Sequence, residues 1–289
     1  MTADQDGPQA AAPAAHEPPP ATPAAPAEQA QAPAAPAPVL TATDIEVRFG
    51  GVTALNRVSV SAAPGEIVGL IGPNGAGKTT LFDALSGLRR PDAGRVLLGG
   101  DDVTRRAPVW RARRGLRRTF QRQQLFGQLT VADNLLVAQE WHGGHLAATR
   151  ARRAARADEV LARTGLEPLR DRYAGTLPVG QARMVELARA LADPPSVLLL
   201  DEPASGMTKP ERARLAGVVR ETAAGGDCAV VVVEHDVGFV MELCSRVVVL
   251  DLGRVLAEGT PQEIRENPAV RAAYLGTSVA GNASPVDGG

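Results

Sequence analysis

The sequence predicts an α/β domain: a parallel sheet covered by helices on both faces, with a helical subdomain inserted into it. Three observations predict this. Ile67-Val68-Gly69-Leu70-Ile71, Val197-Leu198-Leu199-Leu200 and Ala229–Val233 are unbroken apolar runs of strand length. Their lack of alternation suits strands buried on both sides. The first run leads into a glycine-rich loop and then an apolar-periodic helix at 80–88. From about 111 to 192 the pattern turns mainly helical, which places the inserted subdomain there. Further on, Asp251-Leu252-Gly253 separates apolar 247–250 from 254–257 and reads as a hairpin turn.

The 289 residues suffice for one large domain or two small ones. Lys+Arg is 31 and Asp+Glu is 32, a net charge of −1. That balance argues against nucleic acid or an anionic membrane surface as the main partner. Aromatic residues make up 3%, a poor supply of stacking platforms for single strands. Cys228 and Cys244 are too few for a disulfide framework or a zinc cluster, and read as small core residues. No apolar run approaches the roughly 18 residues that span a bilayer. The chain therefore reads as a soluble protein of a reducing compartment.

Residues 1–38 stand apart. They hold ten prolines and fifteen alanines, carry Asp4, Asp6, Glu17 and Glu28, and contain no Lys or Arg. Such a segment buries too little apolar surface to offset its ordering entropy, and it lacks the positive start of a signal peptide. It reads as a disordered tether, either a dispensable extension or a Pro-rich arm for a partner. The tail at 277–289 is small, polar and Gly-rich, and is expected to fray. Without the arm, 31 basic groups face 28 acidic ones, the excess lying at 105–118 and 150–156. The run Arg111 to Arg118, beside Trp110, reads first as a solvated helical face; contact with phosphate or a partner protein is the alternative.

Gly72-Pro-Asn-Gly-Ala-Gly-Lys-Thr79 fits G-x-x-x-x-G-K-[ST] between a strand and a helix, the context that this phosphate-binding loop requires. Its glycines let successive N–H groups point inward at phosphate oxygens, and the helix adds its positive end. Lys78 would reach the β- and γ-phosphates, and Thr79 would ligate Mg²⁺. Asn74, Gly75, Gly77 and Thr80 complete the candidate loop. Downstream, an apolar strand ends in Asp201-Glu202. Asp201 can hold Mg²⁺ through water, and Glu202 can act as general base on the attacking water. His235 follows the run 229–234. A lone His at a strand end is ordinarily a satisfied polar residue. An adjacent parallel strand would instead bring it to the same carboxyl edge as Glu202, within reach of a γ-phosphate oxygen or the water.

Together with Thr119-Phe120-Gln121, Leu177-Pro-Val-Gly-Gln181 and Glu234-His235-Asp236, these motifs resemble, in order, those of an ABC-transporter ATP-binding subunit over about 39–276. The resemblance implies a P-loop NTPase (RecA-like) core with an inserted helical subdomain and an N-terminal antiparallel β region. It implies that ATP and Mg²⁺ are the ligands. Phe49 takes the place of the aromatic that stacks on adenine. Gln121, in the Q-loop, would sense γ-phosphate and Mg²⁺. Gly180 and Gln181, in the signature loop, would face the γ-phosphate held by a second ATPase subunit. His235 becomes the switch residue. Phe126, just after the Q-loop, reads either as lining for a groove that receives a permease helix or as a core aromatic.

Residues 117–126, 129–139, 233–241 and 259–276 resemble the branched-chain amino acid (Liv-type) group; the last is shared with urea and short-amide importers and in part with the lipopolysaccharide-export ATPase. The implied partners are membrane permease subunits, a second ATPase subunit in a heterodimer or homodimer, and indirectly a solute-binding protein, with no nucleic acid. The implied place is cytoplasmic, peripheral on the inner face of the cell membrane. Two positions depart from the family pattern. The signature Leu-Ser-Gly-Gly-Gln has Pro178 for Ser and Val179 for the first Gly, and the D-loop has Thr208 where an Asp is usual. Both weaken the case for two equivalent composite sites. The rival reading is a regulatory or non-transport ABC ATPase, a nucleotide-gated interaction module.

Overall fold

The computed structural model describes residues 36–142 and 150–280. Contacts divide the chain into Met1–Ala35 and Pro36–Gly289. The first unit, which takes in nearly all of the Pro/Ala-rich arm, lies outside the described residues, as does 281–289. The expected loose tail therefore overlaps a helix, α9 (Pro268–Ala280), in its first residues.

Two sheets build the second unit. The N-terminal one is antiparallel: β1 (Leu40–Phe49), β2 (Val52–Ala62), β4 (Ala93–Leu98) and β5 (Asp101–Asp102), in the order β2-β1-β4-β5. The other contains β3 (Ile67–Ile71), β6 (Leu116–Arg118), β7 (Val197–Asp201), β8 (Ala229–Val233), β9 (Arg246–Asp251) and β10 (Arg254–Gly259). Its order is β10-β9-β3-β8-β7-β6, parallel except for the β9–β10 hairpin. Leu252 and Gly253 turn that hairpin at φ 44 and 75, the positive values that a tight two-residue turn demands.

All residues of β3, β7 and β8 are buried, as their unbroken apolar runs predict. Alternate side chains serve different cores. Val68, Leu70, Leu199 and Val231 pack with β1, β2 and the helix after β3, α1 (Lys78–Ser86). Ile71, Leu198, Leu200 and Val232 pack with helices on the opposite face. Those helices are α3 (Val131–His142), α4 (Arg150–Thr164), α5 (Val179–Leu191), α6 (Lys209–Ala224), α7 (Val237–Leu243), α8 (Pro261–Glu266) and α9. Cys228 and Cys244 are buried, and burial pushes both thiols up to about 12, so they behave as core residues.

The arginine run is not the solvated helical face that its charge predicts. Its start lies in a short helix, α2 (Pro108–Arg113), and its end is β6, paired in parallel with β7. Arg111 is fully buried. It donates to the carbonyls of Ala84 at 2.8 Å and Leu85 at 2.6 Å, so it caps the negative end of α1. The space beside it exists because Gly87, at φ 82, carries no Cβ; one there would lie 2.7 Å from the Arg111 Nε. Arg117 pairs with Asp193 at 2.8 Å, and Arg118 is buried among acidic groups. Only Arg113 and Arg114 of the run are exposed. The helical stretch expected from 111 thus contains a strand of the main sheet near its start.

Candidate functional site

Parallel pairing brings four loops to one edge of the main sheet. They follow β3, β6, β7 and β8, and carry the phosphate loop, Gln121, Glu202 and His235 respectively. Ligands collect at such an edge because successive loops diverge there and leave a crevice.

The phosphate loop curls as its sequence requires. Gly72, Gly75 and Gly77 sit at φ 154, 80 and 106. A Cβ on Gly77 would come within 2.7 Å of Leu55 Cδ2 and 2.8 Å of the Ala54 carbonyl, so only glycine fits. α1 begins at Gly77 without a side-chain cap, leaving its first N–H groups for an anion. Lys78 is buried. Its ammonium donates to the carbonyls of Gly72 at 2.6 Å and Pro73 at 2.9 Å. Burial pushes its pKa down, while Glu202 and Asp201 pull it back up. Thr79 and Thr80 lie in the first turn of α1, and Asn74 and Gly75 are exposed on the loop.

Asp201 ends β7, buried, with Arg118 Nη2 3.0 Å from its Oδ2. Burial pushes its carboxyl up and the guanidinium opposes that. Glu202 follows in the left-handed region at φ 49, a strained conformation for a non-glycine residue costing about 1–3 kcal/mol. Its N–H is held by the Val233 carbonyl at 2.9 Å. Its carboxylate meets His235 Nε2 at 2.6 Å and accepts from Gln121 Nε2 at 3.1 Å on both oxygens. Such a carboxylate can take a proton from water while the His and Gln fix its direction.

The remaining predicted residues sit apart from this cluster. Phe49, at the end of β1, is 48% exposed, and the Arg89 guanidinium lies 3.8 Å from its ring centroid. Gly180 and Gln181 open α5; among the described residues no hydrogen bond joins them to the phosphate loop. Pro178 is the N-cap of α5, again with no side-chain cap. Thr208 is the N-cap of α6 in a capping box with Glu211. The Glu211 carboxylate accepts from Thr208 N and Oγ1, each at 2.8 Å, and packs directly against Gly180. A carboxylate is therefore present beside the signature loop, three residues beyond the position where the sequence lacks one.

Sequence reasoning missed the side chains that hold these loops. Glu234, buried, accepts the Ala204 N–H at 2.7 Å and braces the turn after Glu202. Arg183 of α5 donates to the Q-loop carbonyls of Phe120, at 2.9 Å, and Gln121. Glu186 accepts the Gln124 N–H at 2.7 Å. Charged residues on the core-facing side of an otherwise apolar helix are the signal that could have found Arg183 and Glu186. Phe126 is 49% exposed rather than a core aromatic. With Ser86, Leu88, Leu116, Arg118 and Phe120 it lines a groove of about 470 Å³.

This sheet edge is that of a P-loop nucleoside triphosphatase. The family model for ABC transporters matches residues 55–205, and that for branched-chain amino acid ATP-binding cassette transporters matches 254–280. The chain is 40% identical over 250 residues to the high-affinity branched-chain amino acid transport ATP-binding protein LivG of Escherichia coli (83% of this chain, 98% of that protein). It is 38% identical, with the same coverage, to BraF of Pseudomonas aeruginosa, which bears the same description. A crystal structure of an ABC-transporter ATP-binding cassette in its ADP conformation superposes with a TM-score of 0.75 at 30% identity, covering 83% of this chain and 99% of that one. The chain belongs to the ATP-binding subunits of ABC transporters, in the branched-chain amino acid (Liv-type) family, and is an ATPase.

Proposed function

We propose that this subunit hydrolyses ATP at the edge formed by Lys78, Asp201, Glu202, Gln121 and His235, and so drives import of a branched-chain amino acid or a related small polar solute. The carboxylate of Glu202, held between His235 and Gln121, carries the reading. Glu202 accepts the proton of the attacking water, and His235 and Gln121 keep it aimed. Lys78 exchanges its loop carbonyls for the β- and γ-phosphates. Phe49 offers a ring to adenine. The donors for a cation are all hard oxygens: Thr79 hydroxyl, Asp201 carboxylate and the Gln121 amide oxygen, whose nitrogen Glu202 engages. That set suits Mg²⁺, which when bound would neutralise charge on the phosphate oxygens.

The signature loop acts on a neighbour. Gly180 and Gln181 start a helix whose free N–H groups suit the γ-phosphate of a second subunit. Pro178 offers that phosphate no hydroxyl and no N–H, and Glu211 sets a negative charge beside Gly180. Both favour a partner cassette of a different kind, with an intact signature completing the site built on Lys78. The groove around Phe126 and Arg118 suits a helix of a membrane permease. No helix among the described residues is long and apolar enough to cross a membrane, so the subunit would attach peripherally, on the inner face. The relatives' names supply the solute class.

The test is reconstitution in vesicles with the neighbouring permease and second cassette. ATP-dependent uptake of labelled leucine, lost with Glu202→Gln, is the expected result. Hydrolysis with no permease captured, and no uptake, would favour the nucleotide-gated interaction module instead.

A further inference from the structure

Arg118 closes β6 with a side chain only 6% exposed. Its guanidinium is shared between two elements. Nη1 donates to Asp83 Oδ1 at 2.7 Å and to Ser86 Oγ at 2.9 Å, both on α1. Nη2 donates to Asp201 Oδ2 at 3.0 Å. The rings of Phe82 and Phe120 lie 5.5 and 5.0 Å from its central carbon and wall the group in. The next residue takes the same aspartate by its backbone: Thr119 Oγ1 accepts the Asp201 N–H at 3.2 Å. Thr119 N in turn donates to the Leu199 carbonyl at 2.9 Å. The last residue of β6 and the residue after it thus hold both the carboxylate and the main chain of Asp201.

We propose that Arg118 is the positioning residue for the Asp201 carboxylate, fixing Oδ2 so that the group faces the divalent cation that accompanies ATP. The inference rests on the reading of Asp201 as a cation-binding residue. A carboxylate at a strand tip rotates about its own side-chain bonds unless a second group holds it. Partners of this kind, one bond removed from a cation, orient the ligand and tune its affinity. The planar fork is what the position needs, because it reaches Asp201 and α1 at once and in fixed directions. An ammonium at the same place keeps the charge but not the paired directions. Asp83 and Ser86 anchor the fork to the helix that begins with Lys78 and Thr79, so the two halves of the site share one rigid link.

The test uses the full chain with Arg118→Met and Arg118→Lys. Mn²⁺ affinity of the ATP complex is read by electron paramagnetic resonance. Binding of a fluorescent ATP analogue in EDTA and the melting temperature are read in parallel. Arg118→Met should weaken Mn²⁺ by roughly 10–100-fold and leave metal-free ATP binding within about twofold. Arg118→Lys should fall between Met and wild type, and it carries the test alone if the Met variant does not fold. Unchanged Mn²⁺ affinity in the folded variants overturns the proposal. Equal losses of metal and metal-free nucleotide binding also overturn it, since they mark a purely structural role. Asp201→Asn separates the two readings. If it too leaves Mn²⁺ affinity intact, the assignment of Asp201 fails and the proposal with it. If it weakens Mn²⁺ while Arg118→Met does not, the proposal alone fails.

Discussion

The loop around Lys78 and the loop around Gly180 both open a helix, and neither helix has a side-chain cap. Their surroundings differ. At the first, every charged group already has a partner from the same chain: Lys78 with loop carbonyls, Asp201 with Arg118, Glu202 with His235 and Gln121. At the second, Val179 is 52% exposed, and the nearest charge is the Glu211 carboxylate packed on Gly180. One loop has its charged side chains held by bonds from the same chain. The other leaves Val179 at the surface and buries Gly180 beneath the Glu211 carboxylate. Side-chain bonding is thus concentrated around Lys78, Asp201 and Glu202, and among the described residues none of it reaches Gly180 or Gln181.

The largest effect belongs to the organised half. Glu202→Gln should lower turnover by about 10²–10⁴-fold, the usual cost of a lost general base, with ATP binding retained. Phosphate release and equilibrium binding measure the two separately, and hydrolysis at the parent rate breaks the assignment. Lys78→Ala should weaken ATP by about 10- to 150-fold, the worth of a charge-assisted hydrogen bond of roughly 1.5–3 kcal/mol. Titration with a fluorescent ATP analogue reads it; near-parent affinity would mean that the loop does not bind phosphate.

The open half should respond less. Pro178→Ser restores a hydroxyl, worth roughly 0.5–1.5 kcal/mol or about 2- to 12-fold in the ATPase rate of the isolated protein. Mixing the parent with a neighbouring cassette should give a comparable gain. If the parent alone already matches the mixture and the Ser variant gains nothing, the two halves do not depend on different chains. The smallest effect is expected from deleting 1–38: an unchanged melting temperature and ATPase rate, because its composition offers no core side chains. A drop in either would show that one half draws on the arm.

Much of the organised half is legible in the sequence. A phosphate loop needs glycines where a Cβ would collide, as at Gly77, and an unbroken apolar strand on either side of the crevice. Those demands are local, so spacing along the chain reveals them. The cassette resemblance added the signature and switch residues. The arginine run shows where such reading stops. Eight residues with this much charge read as exposed, yet Arg111 is fully buried as a helix cap and Arg118 lies between two carboxylates. β6, of three residues, carries no apolar run of its own and is a strand because β7 pairs with it.

What the sequence determined by itself was the set of local requirements: which loop can cradle phosphate, which strands must be buried on both faces, and which turn closes the final hairpin. Each follows from the sterics of a few adjacent residues or from the cost of exposing apolar side chains. The tertiary structure decided which charges meet. Asp201 lies 83 residues from Arg118, Glu202 33 from His235 and 81 from Gln121. No propensity encodes those pairings. They exist because the strand order β3-β8-β7-β6 stacks four loop ends along one edge. There, burial makes an unpaired charge costly, and the buried Asp201 carboxylate is met by the Arg118 guanidinium.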